Sequence, residues 1–226
     1  MAIVFSYRWN RNPSRLLRSF GLSARSAREE AAFMRALEDA PDDVPGNLCL
    51  IMGGFTDGFL GRAYALKGDV HALLGPGFDV YYREHDEHAA ARRILRRYGE
   101  LSRRVVLIGH SWGASSLARD MVPSLPKVRV DALVTLDPVG LRGPVPLPSV
   151  RRWLNVYLPY ARAAWSRENN VARLGRPWEY VREANLNRVP SVLRHADALG
   201  MFREYGAAFI TLSLMDAPAP AAGRPI

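Results

Sequence analysis

From Leu48 onward, short apolar runs alternate with longer stretches of mixed polarity. Leu48 to Met52 is apolar, lacks helical periodicity and ends on Gly53-Gly54, which reads as a buried strand followed by a sharp turn. Phe78 to Tyr82, Val105 to Ile108, Ala132 to Leu136 and Trp153 to Leu158 are further strand candidates. Between them, Asp86 to Leu101 places Ala90, Ile94, Leu95 and Tyr98 on one helical face, and Gly113 to Met121 is made of good helix formers. Phe209 to Leu214 suits either a last strand or the end of a helix. Strands that alternate with helices predict an α/β protein with a mostly parallel central sheet and helices on both faces. The physical reason is that parallel neighbours require a crossover and bury both of their faces.

The two ends of the chain read differently. Residues 1–46 are polar and arginine-rich, and Ser23 to Asp39 spaces Ala27, Ala31, Met34 and Leu37 by three and four, as in an amphipathic helix lying on the core. Pro41, Pro45 and Gly46 then break the chain. The tail 217–226, with three prolines and four alanines, offers nothing to pack and is expected to be disordered. The expected division is therefore 1–46, a core domain over 47–216, and the tail.

Composition narrows the chemistry. The 226 residues, 48% hydrophobic and 23% charged, suit one globular domain that needs no staple. A single cysteine, Cys49, cannot form an internal bridge, and five scattered histidines make no zinc pattern, so no metal is implied. The apolar stretch Val44 to Thr56 is interrupted by Pro45, Asn47 and three glycines, which fits neither a membrane span nor a secretion signal. A cytoplasmic location is the expectation, although export by a dedicated machine needs no cleavable signal. The net charge of +9 rests on arginine, with Lys67 and Lys127 the only lysines. Without a zinc finger, a helix-turn-helix signature or a basic strand interleaved with aromatics, no nucleic-acid partner is expected.

Gly109-His110-Ser111-Trp112-Gly113 matches G-x-S-x-G. In this nucleophile elbow the glycines leave room for a strained strand-to-helix turn that lifts the serine hydroxyl above the sheet edge. The match gains weight from its setting, directly after Val105 to Ile108 and directly before a helical run. Serine is a weak nucleophile without a base, and in this kind of site the base follows it in the chain. His71, His85 and His88 precede Ser111, and His110 adjoins it, pointing elsewhere, which leaves His195. The acid that orients the imidazole is expected to be Asp137, at the end of Ala132 to Leu136, with Asp197 in reserve. For the oxyanion, Trp112 supplies the amide after the nucleophile, and Phe55, after Gly53-Gly54, is the second candidate. Asp57 in the same loop reads as a residue that fixes the turn. The loop lacks G-x-G-x-x-G and the P-loop lysine, so it does not read as a phosphate cradle.

Together, the segments around Gly53 to Gly58, Gly109 to Gly113, Asp137 and His195 resemble the α/β-hydrolase superfamily, in particular its lipases and esterases. The resemblance covers about residues 47–200. It implies Ser111 as nucleophile, His195 as base and then acid, Asp137 as orienting acid, and the amides of Phe55 and Trp112 as oxyanion donors. Asp137 follows the strand next after the nucleophile strand, as in some lipase branches, whereas most members place the acid one strand later.

This reading predicts a serine hydrolase that cleaves a small-molecule acyl ester or lipid through an acyl-enzyme and requires no cofactor. The alternatives are a catalytically silent binding protein on the same fold, or an acyltransferase or thioesterase with the same three residues. Residues 140–187 carry Trp153, Tyr157, Tyr160, Trp165, Trp178 and Tyr180, the making of a cap that grips an apolar chain. Nine arginines from Arg142 to Arg188 against three glutamates suggest attraction to an anionic membrane surface.

Overall fold

Strand β1 (Asn47–Gly53) lies inside the sheet, with β2 (Phe78–Glu84) on one side and β3 (Val105–His110) on the other. Beyond β3 follow β4 (Ala132–Leu136), β5 (Trp153–Val156) and β6 (Leu186–Arg188), giving the order β2-β1-β3-β4-β5-β6. Every neighbouring pair is parallel. The computed structural model describes residues 46–216 except 56 and 102, so the expected N-terminal helix and disordered tail lie outside the described residues.

Alternation along the strands divides the core into two layers. Leu48, Leu50 and Met52 of β1, with Val105 and Leu107 of β3, face one side, where they meet Ile94, Leu95 and Tyr98 of α3 (His88–Glu100). Cys49 and Ile51, with Val106 and Ile108, face the other. There they meet Leu66 and Val70 of α2 (Leu66–Leu74), Met201 of α6 (Ala198–Met201) and Ile210 of α7 (Ala207–Met215). A short α1 (Asp57–Leu60) follows β1, α4 (Trp112–Ser115) follows β3, and α5 (Arg167–Leu174) lies between β5 and β6.

Several boundaries differ from the sequence expectation. Phe209 to Leu214 lies in α7, because the chain runs on from α6 through a π-helical turn, Phe202–Gly206, without the break a strand would need. The helix after the elbow is α-helical only over Trp112–Ser115 and widens to π-helix at Ser116–Met121. The expected fifth strand stops at Val156. β6 carries no pattern of its own, since three residues of mixed polarity gain strand character only by pairing with Leu154–Val156. α5 is similarly hidden: it opens on four polar residues, leaves Val171 and Leu174 exposed, and buries only Asn169 and Ala172. Among the described residues, no helix is long and apolar enough to cross a membrane.

Candidate active site

The turn between β3 and α4 holds Ser111 at φ 56° and ψ −125°, a backbone conformation that a residue with a Cβ rarely adopts. Crowding explains the flanking glycines. A Cβ on Gly109 would lie 2.4 Å from Cα of Ala114, and one on Gly113 would lie 2.3 Å from the carbonyl oxygen of Met52. Tight packing therefore raises the serine at the carboxyl end of β3. The Ser111 amide donates to the Leu136 carbonyl at 3.0 Å, and its carbonyl accepts from the Val139 amide at 3.1 Å, fastening the elbow to the end of β4.

Three side chains distant in sequence meet here. Nε2 of His195 lies 3.0 Å from Oγ of Ser111, and Nδ1 lies 2.6 Å from Oδ2 of Asp137. Asp137 is wholly buried just past β4, with a positive φ of 42°. A buried carboxylate needs donors, and it has them: the Leu158 amide donates to Oδ1 at 3.1 Å and the Tyr160 hydroxyl to Oδ2 at 2.5 Å. Asp197, the reserve acid, instead caps α6 by accepting from the Gly200 amide at 3.0 Å. A hydroxyl, an imidazole and a buried carboxylate in this sequence can carry the serine proton away as the oxygen attacks.

His195 is held from both sides of its own backbone. Its amide donates to Oδ1 of Asn169 at 2.8 Å, and its carbonyl accepts from Nε2 of His110 at 2.8 Å. Asn169 is itself locked, donating through Nδ2 to the carbonyls of Ala164 and Leu193. Burial, with His195 next in importance, pushes the His110 imidazole down to about 4, so it stays neutral at its post. Sequence reasoning missed all three supports. Asn169 gives no signal, Tyr160 sits in a run of aromatics, and His110 points away from the serine, toward the His195 backbone.

The two expected oxyanion donors flank this group. Trp112 opens α4, where a first-turn amide has no intrahelical acceptor, and Phe55 follows the Gly53-Gly54 turn. Among the described residues, neither amide donates to another group. A Cβ on Gly54 would lie 2.6 Å from Cβ of Ser111, so only glycine lets this loop approach so closely. Asp57 fixes the loop, accepting from the amides of Ala63 and Tyr64 and, at 2.7 Å, from the Tyr82 hydroxyl. Burial and this carboxylate raise the Tyr82 phenol well above its ordinary value, keeping it a donor. His85 is buried against the same loop, its ring edge-on to Phe55 at 6.1 Å and to Trp112 at 6.3 Å. Desolvation lowers its pKa.

A cavity of about 360 Å³ opens beside Trp112, with His85, His88, Ser115, Ser116 and Arg142 in its walls. In the segment expected to form a cap, Trp153, Trp178 and Tyr160 are buried in packing, while Trp165 and Tyr180 stand exposed. The Arg173 guanidinium lies 4.4 Å from the Trp165 ring centre and 5.3 Å from that of Tyr160. Among the described residues, no group of three or more His, Cys, Asp or Glu side chains is placed to hold a metal ion.

A comparison with curated proteins found no match. Residues 44–225 match the alpha/beta hydrolase family, a span that includes all six strands and every residue of the site. With the parallel sheet, the elbow at Ser111 and this match over most of its length, the chain belongs to the alpha/beta hydrolase family.

Proposed function

We propose that the protein is a serine esterase that cleaves a carboxylic ester by way of an acyl-enzyme on Ser111. The observation that carries this reading is the unbroken hydrogen-bond chain from Ser111 Oγ through His195 to Asp137. Ser111 Oγ bonds to the ester carbonyl carbon while its proton passes to Nε2 of His195. Asp137 holds the ring and stabilises the imidazolium, and the amides of Trp112 and Phe55 receive the charge on the carbonyl oxygen. The carbon–oxygen bond to the alcohol then breaks, and the alcohol leaves with the proton from His195. Water repeats the sequence: His195 takes its proton, the hydroxide oxygen bonds to the acyl carbon, and Ser111 departs reprotonated.

The test is labelling by a fluorophosphonate probe, which requires an activated serine. The intact protein is expected to be labelled, and Ser111→Ala is not. Ester turnover is expected to fall by roughly a thousandfold or more in Ser111→Ala or His195→Ala, and little further in the double variant, because the two act as a unit. A folded protein that resists the probe and leaves a panel of short esters intact would point instead to a binding role on this fold.

A further inference from the structure

We propose that the outer face of α5, with the arginines around it, is a docking surface for an anionic lipid bilayer. The inference goes beyond the esterase reading and does not depend on it.

Polarity on α5 runs opposite to that of a helix made to face water. Its buried residues are Asn169 and Ala172, and the hydrogen bonds of Asn169 are met by His195, Ala164 and Leu193. Arg167, Val171 and Leu174, spaced by four and three and so stacked on one face, are exposed. Trp165, just before the helix, is 82% exposed, and Leu174 is 81% exposed. Side chains that project this far are not the walls of a groove gripping a peptide or a single acyl chain. They suit entry into a lipid layer, where an indole also settles at head-group level.

Charge selects the kind of lipid. Residues 160–176 carry four arginines against one acid, Glu168. The Glu168 carboxyl is held below its usual range first by its own backbone amide, then by the Ser166 hydroxyl and the charges of Arg194 and Arg62. Those two arginines, from the loops after β6 and α1, therefore stand near the same helix. Arg62, Arg162, Arg167, Arg176 and Arg194 are exposed, and among the described residues none of them makes an ion pair. Arg173 donates to the carbonyls of Tyr160 and Ala163 and lies 4.4 Å from the Trp165 ring centre, fixing a positive charge beside the projecting indole. Apolar tips among unpaired guanidiniums match a bilayer whose phosphates lie just outside its acyl chains. A net negative charge on that bilayer adds roughly fivefold in affinity for each arginine at the surface.

The surface adjoins the site at both ends of α5. Asn169 holds the His195 amide, and a Cβ on Gly175, just past the helix, would lie 3.2 Å from the indole nitrogen of Trp112. Docking through α5 thus brings Ser111 to the lipid surface.

The test is co-sedimentation of the full protein with vesicles of phosphatidylcholine alone or with about one third phosphatidylglycerol, at about 50 and about 500 mM salt. Binding is expected to be at least about tenfold tighter to the anionic vesicles and to weaken at high salt. The paired changes Trp165→Ser with Leu174→Ser, and Arg162→Glu with Arg167→Glu, are each expected to weaken it by about tenfold or more. Lys127→Glu with Arg129→Glu removes the same charge from the segment before β4, at the opposite edge of the sheet, and is expected to cost several-fold less. The proposal is overturned if the wild type ignores anionic vesicles or binds neutral ones equally well. It is also overturned if the α5 variants bind as the wild type does, or if the opposite-edge pair costs as much, since the surface then lies elsewhere or only net charge counts. A wild-type dimer in sedimentation velocity that is lost with Trp165→Ser and Leu174→Ser, without vesicle binding, would assign the face to a second copy of the chain instead.

Discussion

Tyr160 and His195 meet at a single oxygen of Asp137: the phenol lies 2.5 Å and the imidazole 2.6 Å from Oδ2 of this wholly buried carboxylate. The Tyr160 phenol is raised far above its ordinary value, first by burial and then by the carboxylate beside it, so it donates and does not ionise. It therefore helps to hold the carboxylate against His195. Tyr160→Phe removes one hydroxyl and keeps the ring that packs on Arg173. The expected result is a fall in kcat/KM of roughly ten- to a hundredfold through lost orientation. A loss of about 1–3 kcal/mol in stability by urea denaturation should accompany it, because a buried acceptor loses a donor. Unchanged kinetics would remove Tyr160 from the positioning of Asp137.

Asn169 should matter nearly as much although it touches no reacting atom. Its Oδ1 accepts from the His195 amide, and its Nδ2 donates to two carbonyls. Asn169→Ala frees the loop that carries the imidazole and leaves a buried amide unsatisfied. Labelling of Ser111 by the fluorophosphonate is expected to slow at least about tenfold, with the kinetic loss falling on kcat more than KM.

His110 links stability to acidity. Its imidazole is lowered from 6.5 to about 4 in the folded protein, so the folded state refuses a proton that the unfolded chain accepts. The stabilisation is full above about pH 6.5 and is lost as pH falls through the window toward 4, by about 3 kcal/mol at completion. His85, also lowered, acts in the same direction. Urea denaturation at about pH 7 and about pH 5 should show a smaller acid loss for His110→Asn than for the wild type. An identical acid loss in the two proteins would contradict the assignment.

Gly113 faces the backbone of β1. An added Cβ would lie 2.3 Å from the carbonyl oxygen of Met52 and 2.4 Å from that of Gly53, with no flexible side chain to yield. Gly113→Ala should cost more than about 3 kcal/mol in stability and abolish labelling of Ser111. Gly68, whose Cβ would meet nothing within 4 Å, is the matched control: Gly68→Ala in α2 should be neutral to stabilising in the same melt.

Sequence determined what depends on local pattern and chain order. Leu48 to Met52, Val105 to Ile108 and Ala132 to Leu136 declare themselves as buried strands because sheet burial on both faces favours near-continuous apolar runs. The glycines around Ser111 declared the elbow, and the order of the histidines left His195 as the partner, now found 3.0 Å from Ser111. Only tertiary structure decided the rest. Leu186–Arg188 becomes a strand because Leu154–Val156 offers an open edge to pair with, and α5 is a helix although its residues Val171 and Leu174 stay exposed and it buries only Asn169 and Ala172. Tyr160, Asn169 and His110 support the site through contacts spanning 23, 26 and 85 residues of chain, at positions with no periodicity to mark them. A hydrogen bond across such a distance depends on where the fold brings two backbones together, and no local run of residues encodes that meeting.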